Sequence, residues 1–241
     1  MFIKNKCFQI LLLVTLGCII MSIIEGIIQP SYVYKSAIKL TTFLSLILTY
    51  CLFNKDYSFF NVLKVHDKKD LFISILAGLA VYILIIASYF IAKNFINLDT
   101  IASNLAAKEN ISKSNFIFIA LYISFINSLL EELFFRGFAF IQLKTLIKEK
   151  YAYIFSSIAF ALYHIFIMSG WFTPALFILI LLSLVVAGLI FDYFDRKTNI
   201  YNSWLIHMSA NFAINTIGLM AFGIIWKLSY SHSLQTSTHS L

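Results

Sequence analysis

Charge is scarce in this sequence. Asp, Glu, Lys and Arg make up 12% of 241 residues, against roughly 25% in a soluble domain, so the chain cannot cover itself with a water-wetted surface. Proline is nearly absent: Pro30 and Pro174 both fall near the ends of apolar runs. No pair of Gly- or Pro-broken helices therefore occupies matching positions in two halves, as an inverted-repeat carrier would show. The three cysteines, Cys7, Cys18 and Cys51, lie in or beside the first two apolar runs without paired or metal-like spacing, which leaves no disulfide framework and no cysteine zinc site. Internal repeats, a Gly-rich phosphate loop and the alternating pattern of a barrel are also missing.

What is present is hydrophobic length. Apolar residues fill 61% of the chain, and several runs reach about 20 residues, enough for a helix to cross a hydrocarbon layer of about 30 Å. With no water to satisfy backbone groups there, such runs fold as helices. The sequence predicts an all-α, polytopic bundle of about seven spans, possibly eight, at 7–28, 36–53, 71–94, 115–143, 151–169, 173–194 and 199–226. Residues 1–241 read as a single membrane domain, with a core over 115–215 that carries the polar motifs taken up below and a Ser/Thr-rich, disordered tail over 229–241. Segment 54–70 carries Lys55, Lys64, Lys68 and Lys69, and 95–114 reads as a weakly amphipathic piece along the interface. The first run outlasts a signal peptide and lacks a small-x-small cleavage site, while Thr15 spoils a lipoprotein reading of Leu16-Gly17-Cys18, so it reads as a retained span.

The net charge of +7 reads as topology rather than as a nucleic-acid footprint, because the lysines sit between apolar runs. With the N-terminus cytoplasmic, the inside segments collect eleven basic residues: Lys4, Lys6, Lys55, Lys64, Lys68, Lys69, Lys144, Lys148, Lys150, Arg196 and Lys197. The outside ones collect six: Lys35, Lys39, Lys93, Lys108, Lys113 and Lys227. The bias favours N-in and C-out. Richness in Ile, Lys, Asn and Phe points to an AT-rich bacterial genome, hence to a bacterial plasma membrane.

Against this apolar background a few ionisable residues stand out, each costing at least about 2.5–3.5 kcal/mol at mid-bilayer. Glu131, Glu132 and Arg136 share the fourth run. Glu132 and Arg136 neutralise one another at i,i+4 spacing, which leaves Glu131 unpartnered, with Asn127 one turn before it. His164 and His207 are the two histidines inside apolar runs; His66, His232 and His239 are not. His207, Asn211 and Asn215 share one helical face. At about 1.5 Å per residue, Glu131 lies roughly 20 Å from Lys144, His164 roughly 21 Å from Lys150 and His207 roughly 15 Å from Lys197, so three helices bring their polar groups to similar depth.

A carboxylate beside an imidazole in a low-dielectric site can hold a water and take its proton, and His207 with Asn211 could then supply donors to an oxyanion. Four other readings of these residues remain. A buried polar network could serve only to specify helix packing. Glu131, His164 and His207 could bind zinc, although they lack local His-Glu-x-x-His spacing and Asn211 is a poor ligand. Buried Glu and His could relay protons in a carrier. Serine chemistry at Ser128, Ser156, Ser157, Ser203 or Ser209 lacks a nucleophile elbow.

Glu131-Glu132-x-x-x-Arg136, then Phe160-x-x-x-His164, then His207-x-x-x-Asn211, on separate apolar runs within about 115–215, resemble the CAAX prenyl protease and bacteriocin-processing family of intramembrane endopeptidases, also called the Abi family. The resemblance implies a metal-free, glutamate-dependent peptidase without cofactor. In it Glu131 and His164 activate water, and His207 and Asn211 stabilise the oxyanion. Glu132 and Arg136 support them, and Phe160 shapes the pocket. It implies a peptide or protein substrate in or at the membrane, with peptide maturation, bacteriocin self-immunity or CAAX-like processing as the role. A non-catalytic immunity or scaffold protein, or a proton-coupled carrier, is the alternative use of the same residues.

Overall fold

A computed structural model describes residues 2–64, 68–197 and 199–225, with the side chains of 2–4 and 68 set aside. The expected disordered tail over 229–241, His66, and the last residue of the seventh expected span lie outside the described residues. Every regular element among the described residues is helical. α1 covers Phe2–Ile23 and runs on through a π-helical turn, Ile24–Ile28; α2 is Tyr32–Asn54; a 3₁₀ helix covers Ser58–Leu63; α3 is Lys68–Ala92; and α4 is Leu98–Glu109. α5 runs over Phe116–Gln142, α6 over Glu149–Tyr163, α7 over Pro174–Asp195 and α8 over Tyr201–Ala221.

Among the described residues, five stretches are long and apolar enough to cross a membrane: Asn5–Ile28, Tyr32–Asn54, Lys69–Phe95, Phe116–Gln142 and Pro174–Asp195. The expected count of seven is thus not confirmed among the described residues, where the fifth and seventh runs fall short in length or hydropathy. α6 has only 15 residues, about 22 Å of helix, short of a hydrocarbon thickness of about 30 Å. It stops at Tyr163 rather than 169, because the His164 ring nitrogen Nδ1 lies 2.7 Å from the Phe160 carbonyl while the His164 amide turns to Ala161. A side chain thus takes the acceptor the next helical amide would use. α8 is long enough, but Asn202, Ser203, His207, Ser209, Asn211 and Asn215 dilute its apolar character.

The outer surface is greasy. Ile27, Phe53 and Ile91 are each more than three-quarters exposed, a cover that lipid tolerates and water does not. The core collects around the second half of α5, where Phe134, Phe135, Phe138 and Phe140 are wholly buried. Phe134 stacks on Phe43 of α2 with ring centroids 3.9 Å apart, and Phe135 meets Phe160 of α6 edge-on at 5.5 Å. α3 packs chiefly on α8 and α6 on α7. The second crossing depends on Gly188, where an added Cβ would lie 2.8 Å from the Ser157 Cα, the close approach that small residues permit in membranes.

α5 is not a uniform α-helix. It is π-helical over Ile123–Asn127 and again over Glu132–Gln142, with Ser128–Glu131 α-helical between them. Side chains compete with the ladder here: the Ser128 hydroxyl donates to the Ser124 carbonyl. α8 runs antiparallel alongside and donates into the same region. Asn215 reaches the Ala120 carbonyl at 3.1 Å, Asn211 the Ile123 carbonyl at 3.2 Å and Trp204 the Phe125 carbonyl at 3.1 Å. Each uses a carbonyl's second lone pair.

Candidate active site

Glu131 and Glu132 are neighbours on a helix, so their side chains leave it about 100° apart and meet different elements. Glu131 is 2% exposed and points among α2, α6 and α8. Its Oε1 accepts from Asn127 Nδ2 at 2.9 Å, Lys39 Nζ at 3.2 Å and the Tyr163 hydroxyl at 3.3 Å. Its Oε2 faces two imidazoles instead, with His207 Nε2 at 3.7 Å and His164 Nε2 at 3.9 Å. These last distances exceed a direct hydrogen bond and suit a water held between.

Each ring is fixed from behind. The Phe160 carbonyl beside His164 Nδ1 can only accept, so that nitrogen carries a proton and Nε2 presents a lone pair while the ring is neutral. His207 Nδ1 lies 2.7 Å from Glu132 Oε1, a carboxylate that fixes the tautomer in the same way. Both Nε2 atoms thus face Glu131 as acceptors, and His207 becomes a donor there only as an imidazolium. Phe160, 1% exposed, lies against both rings, with centroids 4.6 Å from His164 and 5.7 Å from His207.

Beneath this layer lies a second. Arg136, fully buried, sits 3.2 Å from Glu132 Oε2 and 3.7 Å from Asp192 Oδ1. Its guanidinium nitrogens make no hydrogen bond among the described residues; charge and the faces of Phe160 and Phe191, at 4.1 and 4.8 Å, hold it. Asp192 accepts from Ser156 at 3.0 Å and Ser157 at 3.1 Å. Asp195 accepts the Ser203 amide at 2.9 Å and its hydroxyl, steadying the first turn of α8 from outside. The serines are thus bound to aspartates here, while Ser128 and Ser209 bond backbone carbonyls.

Of the four residues expected to act together, three meet. Asn211 lies one turn beyond His207 on the expected face, but its amide is engaged by the Ile123 carbonyl. Glu132 does pair with Arg136 as expected, and it also anchors His207. Glu131, His164 and His207 converge as the zinc alternative requires, yet no group of three or more His, Cys, Asp and Glu side chains among the described residues is placed to hold a metal. Lys39 and Lys35, counted above among the outside charges, are 7% and 4% exposed and held in ion pairs. Lys35 joins Glu25 of the first π turn at 2.6 Å to Glu109 of α4 at 2.5 Å.

Lys39, Tyr163, Asp192 and Asp195 escaped the reading of the sequence. Lys39 had a signal, since it falls inside an apolar run where a lysine needs a partner. Asp192 and Asp195 sit at the end of a run, where acidic residues need no special explanation.

Residues 113–213 match the family model for Type II CAAX prenyl endopeptidase Rce1-like proteins. This stretch is Rce1-like. It spans less than half of the chain yet contains Glu131, Glu132, Arg136, Phe160, His164, His207 and Asn211. Tyr163, Asp192 and Asp195 also fall within the Rce1-like stretch; Lys39, Lys35 and Glu25 lie outside it. No curated protein and no solved structure matches the chain.

Proposed function

We propose that the protein is an intramembrane endopeptidase that hydrolyses a peptide bond by glutamate-dependent activation of water. The observation that carries this reading is the division within one carboxylate: Oε1 of Glu131 is held by three donors, while Oε2 faces the two imidazoles at 3.7 and 3.9 Å. A water on Oε2 also reaches His164 Nε2. Glu131 takes its proton, the hydroxide oxygen bonds to the substrate carbonyl carbon, and the C–N bond breaks as that proton passes to the leaving nitrogen. His207, protonated and balanced by Glu132, faces the oxyanion. Asn211 joins it by exchanging the Ile123 carbonyl for the substrate oxygen.

The substrate is a peptide or protein in or at the membrane, either a prenylated Cys-a-a-X tail or a secreted peptide such as a bacteriocin precursor. The membrane is the bacterial plasma membrane, with the N-terminus cytoplasmic. No cofactor takes part in this mechanism.

In vesicles carrying the purified protein, Glu131→Gln, His164→Ala and His207→Ala should each abolish cleavage of an internally quenched peptide ending in prenylated Cys-a-a-X, with protein abundance unchanged. Full activity in the variants sinks the assignment. Loss of activity only with loss of protein returns these residues to packing, and proton flux without cleavage supports a carrier. Activity that survives strong chelation, with no gain from added zinc, separates the metal-free route from the zinc alternative.

A further inference from the structure

Lys39 stands outside the Rce1-like stretch, on α2, yet its ammonium is built into the centre of the site. It is 7% exposed and donates to Asn127 Oδ1 at 2.8 Å and to Glu131 Oε1 at 3.2 Å. Asn127 completes a triangle by donating its own amide to the same Oε1 at 2.9 Å. Tyr163 closes the other side, its hydroxyl 3.3 Å from Oε1 and its ring 5.2 Å from the ammonium. A lysine buried in an apolar bundle is expensive unless a negative charge compensates it, and among the described residues its ion pair is with Glu131.

The consequence is directional. A carboxylate has two oxygens, and a base in a hydrolytic site needs one of them free and correctly aimed. Three donors on Oε1 fix the plane of the carboxylate, and the ammonium supplies the positive charge that balances it in the apolar bundle. Oε2 is then the one oxygen left to face His164 and His207.

We infer that Lys39 is a positioning residue for Glu131: together with Asn127 and Tyr163 it pins Oε1, so that Oε2 alone receives the proton of the attacking water. This rests on the proposed reading of Glu131 as the base. It also gives α2 a part in the site, so residues 113–213 would be incomplete as a catalytic unit without it.

Two measurements separate this inference from the reading beneath it. The first uses no substrate. An infrared difference spectrum between the unaltered protein and Glu131→Gln, both in vesicles at neutral pH, isolates the Glu131 carboxyl band. Lys39→Met should convert that band from the ionised to the protonated form, as should Lys39→Gln, which keeps a donor for Asn127 but loses the charge. Lys39→Arg should retain the ionised band. If Lys39→Met fails to insert, Lys39→Gln carries the test.

The second uses the quenched prenylated peptide. Lys39→Gln should lower kcat about 100-fold, the scale of a misplaced catalytic group, with KM within threefold, and Lys39→Arg should recover most of the loss. An unchanged ionised band together with unchanged kcat in Lys39→Gln overturns the inference. Cleavage that survives Glu131→Gln overturns the proposed function instead, while the spectrum still reports whether Lys39 sets the state of Glu131.

Discussion

His207 stands between the two glutamates of α5, with Nδ1 2.7 Å from Glu132 Oε1 and Nε2 3.7 Å from Glu131 Oε2. A neutral ring can donate at only one of these nitrogens, and the shorter contact claims the proton. Its proposed role as an oxyanion donor therefore needs a second proton, which Glu132 balances. His207→Gln keeps a donor of similar reach but cannot carry the charge. It should lose about 100-fold or more in kcat, the range seen when one oxyanion donor is removed. A loss below about threefold, measured by peptide cleavage, would assign the ring to packing.

Glu132 should matter to stability through Arg136. Removing its charge leaves the fully buried Arg136 with the more distant Asp192, 3.7 Å away, as its ion-pair partner among the described residues. Breaking a buried pair on one side costs about 3–5 kcal/mol, whereas replacing both partners is often close to neutral. Glu132→Gln should thus lower the thermal midpoint in detergent markedly, and Glu132→Gln with Arg136→Met should recover much of it. Additive losses in the double variant would mean that the two side chains do not act as a pair.

The sequence showed the polar centre more clearly than it showed the frame around it. Glu131, His164 and His207 were legible because each is an ionisable group in an apolar run, and their converging depth could be counted at a fixed rise per residue. Asn211 was legible as a face but not as a contact, since a helical wheel gives direction and not partner. Lys39 was read only as a topological charge, since a lysine near the end of a run is normally drawn to the interface; its neighbours on other helices show that it turns inward. The shortness of α6 was hidden for a related reason. The residues after His164 remain apolar, and it is the contact of the His164 side chain with the Phe160 carbonyl that marks the stop.

At the opposite end of α2 from Lys35, acid should loosen the protein through Asp56. Its carboxylate is held down to about 2 by hydrogen bonds from Lys6 and from Ser58, at 2.7 Å for the ammonium and 2.6 Å for the hydroxyl. A carboxylate whose value is depressed in the folded state contributes stability above its ordinary value of 3.8 and loses it as pH falls toward about 2. The partly exposed position keeps the effect small. Thermal midpoints taken between pH 5 and pH 2 should fall more steeply for the unaltered protein than for Asp56→Asn. Parallel curves would show that the Lys6–Asp56 link carries none of the acid sensitivity.

Asn211 and Asn215 offer an internal comparison, because both sit on one face of α8 and both donate to α5. Asn211 donates to the Ile123 carbonyl at 3.2 Å, and Asn215 to the Ala120 carbonyl and the Ser124 hydroxyl, each at 3.1 Å. As fasteners between helices they should be similar, each worth about 1 kcal/mol per hydrogen bond, with Asn215 the stronger of the two. As chemistry they should differ, since only Asn211 lies one turn from His207. Asn215→Ala should therefore lower the thermal midpoint at least as much as Asn211→Ala while leaving kcat within threefold. Asn211→Ala should lower kcat about 100-fold or more if its amide leaves Ile123 for the oxyanion. Equal and small effects on kcat from both would leave Asn211 as a fastener, and the oxyanion would then rest on His207 alone.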